Sequence, residues 1–351
     1  MFVHTPSRIR PRVAGVVLLP ALGVALAVSM VISVGVGPVF IPPETVVSVV
    51  AAKLGMLADP GTWTAAESNI VWLLRLPRVV AGAFVGAALS VAGAAIQALV
   101  RNPLADPYLL GISSGASAGA ATQILFVASA AGAAALAGSA FLGALLAIAL
   151  VFALARIGGR LVPSRLVFAG IAVGFALGAL TNLLVFLSNS RDGIRAVLFW
   201  MLGSLGQSRW DTLGLLCLST LVTFVLLLGW SRRLDAIALG DDTARALGTH
   251  PIRFRALATA TVALCVAVAV SVSGAIGFVG LVVPHVARRL VGAPHRLVLP
   301  ASALIGALVL IWSDALARTA FAPAELPLGV LTALLGTPLL VALVHRMSAA
   351  R

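Results

Sequence analysis

A long uncharged stretch constrains this chain more than any other feature of its sequence. From residue 79 to residue 100 no side chain carries a formal charge. A helix needs about 20 residues to cross a hydrocarbon core, and this run is long enough. Backbone polar groups in lipid must be satisfied within the segment, so a helix is the economical structure for such a run. It ends at 101–107, where two prolines, an Asn and an Asp predict a tight polar loop before apolar sequence resumes.

The composition extends this conclusion to the whole chain. Of its 351 residues, 61% are hydrophobic and 10% are charged, whereas soluble domains carry roughly 25% charged residues. A net charge of +13 could indicate nucleic-acid binding, but the arginines stand singly or in small groups between apolar runs rather than on one basic face. The sequence therefore predicts an all-α polytopic membrane protein without a nucleic-acid partner.

Charge-free runs predict ten spans in a single transmembrane domain that covers 1–351. Two of these runs must each contain a break, one near 128–138 and one between residues 273 and 274. With both termini inside, the inner segments take most of the arginines, as the positive-inside rule requires, and the 6 tryptophans fall near span ends. The predicted spans are 13–36, 79–100, 108–127, 138–156, 166–187, 211–230, 256–273, 276–292, 297–316 and 327–345.

The division into five and five spans predicts that any internal duplication is inverted. A faint similarity between residues 90–96 and 271–276 fits such a 5+5 repeat, because the second and seventh spans run in opposite directions. The abundant glycine and alanine of all spans, which permit close helix packing, explain the same similarity without a repeat.

The cysteines and histidines do not predict a metal site. Cys217 and Cys265 each lie in an apolar run, which is typical of small core residues rather than of a disulfide. His285 follows Pro284, but no second ligand lies at helical spacing from it. We therefore predict no metal and no cofactor in this chain.

The predicted spans contain few groups that could carry chemistry. Asp314 lies near the outer end of the ninth span, whereas Gln97, Thr181 and Asn182 are polar but uncharged. Ion-coupled carriers usually keep ionisable residues near the bilayer midplane, so secondary transport and membrane-embedded hydrolysis are disfavoured. The one lysine, Lys53, has no glycine-rich context, so the sequence contains no Walker A loop. If this chain moves a solute uphill, another polypeptide must supply the energy.

The inner loop 231–255 is the longest predicted cytoplasmic segment and the best place to receive that energy. Within it, a glycine precedes two aspartates at a predicted helix start, two later residues give an apolar face, and a second glycine can end the turn. Such a helix could dock on a partner or rest on the membrane surface, and its chemistry favours neither. Its residues are Gly240, Asp241, Asp242, Ala244, Arg245, Leu247 and Gly248.

Several stretches, taken together and in order, resemble the permease subunit of the iron–siderophore/vitamin B12 (FecCD-type) family of type II ABC importers. They extend from the second span to the tenth. They are RLPR (75–78), GAALSVAGAAIQALVRNPLADPYLLGISSGAS (86–117), LGDDTARALG (239–248), SGAIGFVGLVVPHVARRLVG (273–292), His295-Arg296 and AELPLGVLTALLG (324–336).

This resemblance implies a homodimer with ten spans per chain and a central translocation path along the two-fold axis. It also implies two ATPase subunits on the inside, which would hold ATP and Mg²⁺, and an extracytoplasmic solute-binding protein. The permease would lie in the bacterial cytoplasmic membrane, surrounded by lipid, and would not be an enzyme. Residues 239–248 would form the coupling helix, seated in a cleft of the ATPase.

The resemblance further assigns an outer docking site to three arginines, Arg75, Arg78 and Arg318. They would pair with acidic residues on the two lobes of the binding protein, since exposed charge pairs steer encounter and fix register. The simpler explanation is that they are flanking residues whose guanidinium groups extend to the membrane surface. A short outer helix near the channel mouth would correspond to residues 194–205.

An inner gate would lie in the loops after the second span and between the fourth and fifth spans. Asn102 and Leu104 occupy the first position, where Asn102 could equally be a loop-capping residue. Pro163 and Ser164 occupy the second, where similar permeases more usually have two small hydroxyl residues.

The sequence therefore predicts the permease of an ATP-driven importer for an iron chelate, either a ferric siderophore or haem. Cobalamin import by the same architecture is one alternative, and a stand-alone carrier driven by an ion gradient is another. A wide path lined by small and apolar side chains would leave selectivity to the binding protein.

Overall fold

The computed structural model of the chain describes residues 11–56, 58, 63–127, 132–155, 163–322 and 324–348. These described residues fold into fifteen α-helices, joined by loops, a π-helical segment (Ile70–Arg75) and a 3-10 turn (Pro107–Leu110). The α-helices are α1 (Pro11–Gly35), α2 (Pro43–Lys53), α3 (Ala65–Asn69), α4 (Leu76–Leu99), α5 (Ile112–Phe126), α6 (Gly132–Ala155), α7 (Pro163–Leu187), α8 (Arg191–Met201), α9 (Trp210–Gly229), α10 (Ser231–Leu239), α11 (Asp241–Ala246), α12 (Pro251–Ser273), α13 (Val279–Val291), α14 (His295–Thr319) and α15 (Leu328–Ser348).

Each predicted span falls on a helix of this fold. Within the described ranges, seven helices are long and apolar enough to cross a membrane. The one that carries the second predicted span is continuous over Ala65–Leu99, because α3, the π-helical segment and α4 follow without a break. In contrast, α5 and α13 have 15 and 13 residues, fewer than a helical crossing usually needs. The all-helical polytopic fold is confirmed, whereas the number of ten crossings stays a prediction.

The central helix of the fold is α4. Nearly all of its residues are buried, and it packs against α9, α12, α13 and α14. A Cβ atom at Gly93 would collide with the carbonyl group of Gly280 on α13, and one at Gly86 would collide with the carbonyl group of Gly306 on α14. Glycine at these positions lets the backbones of α4, α13 and α14 touch directly, as small residues do in membrane-protein interfaces.

The break predicted between residues 273 and 274 separates α12 from α13. α12 ends at Ser273, and Gly274 leaves the helix with φ of 66°. The N–H of Ser204 donates to the carbonyl of Ser273 at 2.8 Å, and the N–H of Leu328 donates to the carbonyl of Gly203 at 2.9 Å. The loop after α8 therefore joins the end of α12 to the start of α15.

The short helix predicted around 194–205 is observed as α8, one turn earlier than expected. Its N-terminus is capped by Ser190, whose hydroxyl accepts a hydrogen bond from the N–H of Gly193 at 3.0 Å. α8 packs against α5 and buries Val197, while Leu198 and Phe199 are exposed. It is thus an amphipathic helix beside the end of the bundle.

Residues that the sequence places on one side of the membrane meet in the fold. Trp210 and Trp72 are both predicted outside, and the indole Nε1 of Trp210 donates a hydrogen bond of 2.8 Å to the main-chain carbonyl of Trp72. Asp235 and His295, both predicted inside, approach to 2.6 Å. We call these two ends of the bundle the outer end and the inner end, and their orientation toward outside and cytoplasm stays a prediction.

Candidate functional sites at the two ends of the bundle

A buried ion-pair network joins α4 to α14 at the outer end. The Nε of Arg78 donates to both carboxylate oxygens of Asp314, at 2.9 and 3.1 Å, and the two terminal nitrogens of Arg78 donate to Glu325 at 3.0 and 2.9 Å. Arg318 approaches the same Asp314 carboxylate at 3.0 Å. Only Glu325 is substantially accessible, with 48% of its side chain exposed. Two guanidinium groups therefore compensate one buried and one half-exposed carboxylate, which makes the burial of these charges tolerable.

Two of the outer arginines also cap α1. The last carbonyl groups of a helix lack partners within the helix. Arg75 donates to the carbonyl oxygens of Val34 and Gly35, at 3.1 and 2.9 Å, and to a third carbonyl in the loop that follows. Arg318 donates to the carbonyl and the hydroxyl of Ser33, at 3.2 and 3.0 Å. Arg75 and Arg318 thus fix the outer end of α1 against α4 and α14.

The three arginines predicted for docking are buried rather than freely exposed. Arg75 and Arg78 are each 8% exposed and Arg318 is 4% exposed, so the explanation as freely extended flanking residues is wrong. With Glu325 they line a cavity of about 990 Å³ at the outer end. The hydrogen bonds of Arg75 go to neutral carbonyl groups, whereas Arg78 and Arg318 meet carboxylates. Their role in docking stays a prediction.

A second outer cavity lies beside α8. Its volume is about 570 Å³, and its walls come from α6, from α8, from the last turn of α12 and from the segment before α15. Trp200, Gln207, Ser273 and Glu325 are among its lining residues. Glu325 therefore borders both outer cavities.

At the inner end, the predicted coupling loop 231–255 consists of α10, α11 and the first turn of α12. Gly240 separates α10 from α11 with φ of 126°, and two aspartates follow it. The N–H of Gly248 donates to the carbonyl of Arg245 at 2.9 Å, and that of Thr249 donates to the carbonyl of Ala244 at 2.8 Å. This is a Schellman motif with its glycine in the left-handed region. Both glycines lie where the sequence predicts the ends of the short helix.

The apolar face predicted for α11 is wrong, because its two members point in different directions. Ala244 is fully buried against the rest of the chain, whereas Leu247 follows the helix and is 66% exposed. Asp242 and Arg245 are also exposed and form an ion pair of 2.6 Å on the surface. Such a pair contributes little stability. The exposed tip of this segment therefore consists of Asp242, Arg245 and Leu247.

One buried arginine, Arg255, links this segment to the central helix. Arg255 lies in α12 and is 1% exposed. Its Nε donates to the carbonyl of Leu99, the last residue of α4, at 2.9 Å, and its terminal nitrogen donates to the carboxylate of Asp241 at 2.9 Å. The hydrogen bond and charge of Arg255 lower the pKa of Asp241 from its ordinary value. No motif of the sequence indicates this role of Arg255.

A second contact holds α10 against α14. The carboxylate of Asp235 accepts a hydrogen bond from the main-chain N–H of His295 at 3.0 Å and lies 2.6 Å from its Nδ1. Partial burial acts to raise the pKa of Asp235, but the hydrogen bonds from His295 and the positive charges of His295 and Arg296 outweigh it, so the pKa is lowered. This contact and Arg255 fix α10 and α11 to the rest of the bundle.

The residues predicted for the inner gate lie at the inner ends of their helices. The side-chain oxygen of Asn102 accepts a hydrogen bond from the N–H of Leu104 at 2.9 Å, so Asn102 does cap its loop. Both residues are exposed. Ser164 is exposed in the first turn of α7, which begins at Pro163, and the side chain of Pro163 lies outside the described residues. The gate itself stays a prediction.

A third cavity, of about 520 Å³, lies at the inner end beside the loop of Asn102. One of its walls is Gln97, whose side-chain oxygen accepts from Arg288 at 2.7 Å and whose amide donates to the carbonyl of Leu281 at 3.1 Å. Among the residues that the structure describes, no group of three or more His, Cys, Asp or Glu side chains could hold a metal ion. Cys217 and Cys265 are free, and Cys265 is buried.

Taken together, the helical bundle, the broken helix at its outer end and the helix pair fixed to its inner end define a polytopic membrane permease. The profile of the FecCD transport family matches residues 25–346. The chain belongs to this family.

Similar proteins are transport permeases from several bacteria. The chain is 41% identical over 292 residues to the hemin transport system permease protein of Yersinia pestis, which covers 81% of this chain and 86% of that protein. It is 37% identical over 280 residues to the Fe(3+)-citrate import system permease protein of Bacillus subtilis, covering 80% and 82%. The vitamin B12 import system permease protein of Klebsiella pneumoniae is 40% identical over 293 residues, covering 82% and 86%.

A solved structure has the same fold. A metal-chelate type ABC transporter in an inward-facing conformation superposes with a TM-score of 0.80 at 32% sequence identity. The match covers 94% of this chain and 99% of that chain. The similarity therefore includes both ends of the bundle.

Proposed function

We propose that this chain is the transmembrane permease of an ATP-driven importer whose cargo is an iron chelate, a ferric siderophore or haem. Membership of the FecCD family supports this, as do relatives that transport hemin and Fe(3+)-citrate. Cobalamin is the alternative cargo for the same architecture, because vitamin B12 permeases are similarly close. The family consists of transport permeases, and we expect a separate ATPase subunit to hydrolyse ATP.

The observation that carries this proposal is the exposed tip formed by Asp242, Arg245 and Leu247. Leu247, 66% exposed at the end of a short helix beside the exposed ion pair of Asp242 and Arg245, gives this tip a mixed apolar and charged surface that suits a cleft of a partner. The base of the same segment is held by Arg255 and by Asp235. A free tip on a fixed base is the arrangement that a coupling helix needs, and it weighs against a helix resting on the membrane surface.

A secondary carrier driven by an ion gradient is the weaker candidate. Such carriers need an ionisable residue that exchanges a proton or an ion inside the membrane. Asp314 is a buried carboxylate of the bundle, and it already contacts two guanidinium groups at 2.9 and 3.0 Å. A carboxylate compensated in this way is poorly suited to release and rebind a coupling ion.

The proposed assembly contains two copies of this chain around a central translocation path, two ATPase subunits that bind ATP and Mg²⁺, and one extracytoplasmic binding protein. Each chain would cross the bacterial cytoplasmic membrane ten times, as an inverted 5+5 repeat with both termini inside. Large exposed side chains on α7 support contact with lipid or with the second copy, for example Phe168, Phe175 and Phe186 at 71%, 77% and 83% exposure.

Docking of the binding protein is proposed at the outer cavity, where Arg75, Arg78 and Arg318 could receive an inserted acidic side chain. Arg75 is the favoured contact, because its hydrogen bonds to carbonyl groups leave its positive charge available. Exit of the cargo is proposed between the loop of Asn102 and the first turn of α7 at Ser164.

Reconstitution in proteoliposomes tests the energy source. The permease, its ATPase and its binding protein are combined, and uptake is measured with and without ATP inside the vesicles. We expect uptake only with ATP and no effect of an uncoupler. Uptake by the permease alone that collapses with an uncoupler would instead establish the secondary carrier.

Titration calorimetry of the purified binding protein then identifies the cargo. Ferric siderophores, haem and cobalamin are compared in the same buffer, each with its metal-free form as the control. We expect tight binding of an iron chelate. Selective binding of cobalamin would replace the cargo in this proposal but leave the ATP-driven mechanism in place.

A further inference from the structure

The proposed function assigns Arg255 no role beyond holding the base of the exposed tip. Arg255 lies in the first turns of α12 and is 1% exposed. Its guanidinium group donates hydrogen bonds to two different acceptors. Nε donates to the carbonyl of Leu99, and a terminal nitrogen donates to Asp241. Leu99 is the last residue of α4, and Asp241 is the first residue of α11. A single guanidinium group thus bridges the central helix and the exposed segment.

The bridge ends where the backbone changes direction. Two residues after Leu99, Arg101 adopts φ of 53°, and the loop of Asn102 follows. On the other side of the bridge, Gly240 adopts φ of 126° immediately before Asp241. Both connections are turns whose geometry depends on where the helix ends are held. A displacement of α11 therefore reaches the end of α4 and the loop after it through Arg255.

The chemistry of the bridge requires arginine. A planar guanidinium group presents several N–H donors in a fixed fork and can donate to a carbonyl and a carboxylate at the same time. A lysine at position 255 would keep the charge but has one compact ammonium group on a flexible chain, so it could not hold both partners in the same geometry. The low exposure of the site makes each lost hydrogen bond costly.

We infer that Arg255 is a positioning residue for energy coupling. When the bound ATPase moves α11, Arg255 transmits that movement to the inner end of α4. This inference rests on the proposed function, because it needs an ATPase that binds the exposed tip. Arg255 itself contacts neither the cargo nor ATP. Its effect is to keep α4, α11 and α12 moving together.

The test measures uptake and ATP hydrolysis in the same reconstituted complex of permease, ATPase and binding protein. The variants are Arg255→Gln, Arg255→Lys and Asp241→Asn, and the control is Arg289→Gln, which removes an exposed arginine at the inner end of α13. Couplings between protein sites are typically worth roughly 5- to 150-fold, so we expect cargo taken up per ATP hydrolysed to fall about tenfold in all three variants. The control should keep the wild-type ratio.

The double variant Arg255→Gln/Asp241→Asn separates the bridge from unrelated effects. Both single changes break the same contact, so the double variant should lose little more than Arg255→Gln alone. Asp241 is partly accessible, so its amide variant provides a measurement even if Arg255→Gln does not fold.

Three outcomes would overturn the inference. One is an unchanged ratio of uptake to hydrolysis in Asp241→Asn and Arg255→Lys. Another is a parallel loss of uptake and hydrolysis, which would indicate a structural role only. The last is ATP-independent uptake by the wild-type complex. This result would refute the proposed function together with the inference, and it differs from the first two outcomes because the wild type itself shows it.

Discussion

Arg78 and Glu325 are joined by two parallel hydrogen bonds of 3.0 and 2.9 Å, although 247 residues separate them in the chain. The same guanidinium group also holds Asp314 through its Nε. One side chain therefore connects the start of α4, the body of α14 and the segment before α15. This contact fixes the three segments to one another at the outer end of the bundle.

Replacing Arg78 should destabilise the fold. Arg78→Gln leaves Glu325 without its partner and Asp314 with one arginine fewer, and removing one member of a buried pair typically costs about 3–5 kcal/mol. We expect a loss of about 3 kcal/mol in the free energy of unfolding of the detergent-purified protein. The control Glu325→Gln removes a half-exposed carboxylate and should cost less than about 1 kcal/mol. Equal losses in the two variants would contradict the network described here.

Replacing Arg75 should weaken docking of the binding protein. Arg75→Gln can still donate to a carbonyl of α1 but removes the positive charge that faces the outer cavity. We expect the Kd of the binding protein to rise about tenfold, or about 1.4 kcal/mol, with a smaller effect at high salt because charges are screened. The control is Arg195→Gln, an exposed arginine on α8. An unchanged Kd for Arg75→Gln would remove Arg75 from the docking site.

The exposed tip at the inner end should be needed for coupling and not for folding. Asp242→Ala and Leu247→Asp change side chains that are exposed, and such substitutions usually alter stability by about 0.5 kcal/mol or less. We expect the permease to assemble normally on size-exclusion chromatography, while uptake in the full complex is lost or uncoupled from ATP hydrolysis. Wild-type transport in both variants would show that this tip does not bind the ATPase.

The contact between Asp235 and His295 should make the inner end sensitive to acid. The pKa of Asp235 is lower in the fold than in the unfolded chain, so the stability it contributes is fully present above the unfolded value of about 4 and is lost as the pH falls through the lower, folded value. Asp235→Asn should remove this part of the pH dependence. The measurement is the melting temperature of wild type and variant between about pH 7 and about pH 3. Parallel curves would contradict the assignment.

The local features of this fold could be predicted from the sequence. Helix positions follow from uncharged runs, and the break after Ser273 follows from a serine–glycine pair. The ends of α11 follow from Gly240 and Gly248, since glycine tolerates the backbone angles that these turns require. Each of these signals depends only on residues that are neighbours in the chain, so it can be recognised from the sequence alone.

The partners of the buried charges could not be predicted in the same way. The sequence placed Arg78 and Asp314 near the same side but gave no sign that they meet, because a pair 236 residues apart depends on how α4 and α14 pack. The arginines were therefore expected on the surface. The misplacement of Leu247 has a different cause, since the helix ends one residue before it and the helical spacing from Ala244 no longer applies.

The helical spacing of the residues after Arg255 indicates that Arg255 lies on a buried face of its helix. Ala258, Thr259 and Val262 follow it at helical spacings of three, four and seven residues, and all three are buried. An arginine on the buried face of a helix needs hydrogen-bonding partners, so this spacing predicts that Arg255 has them. What the sequence could not supply is the identity of these partners, because Leu99 offers only its main-chain carbonyl.

The glycine contacts of α4 limit how this permease can change shape. Helices that slide past one another do so by small rearrangements of the side chains between them, and at Gly86 and Gly93 no side chains intervene. Because backbone contacts backbone directly at these two points, we expect α4, α13 and α14 to move as one rigid unit. We therefore expect the movements that let a cargo through to occur between this unit and the helices packed against it.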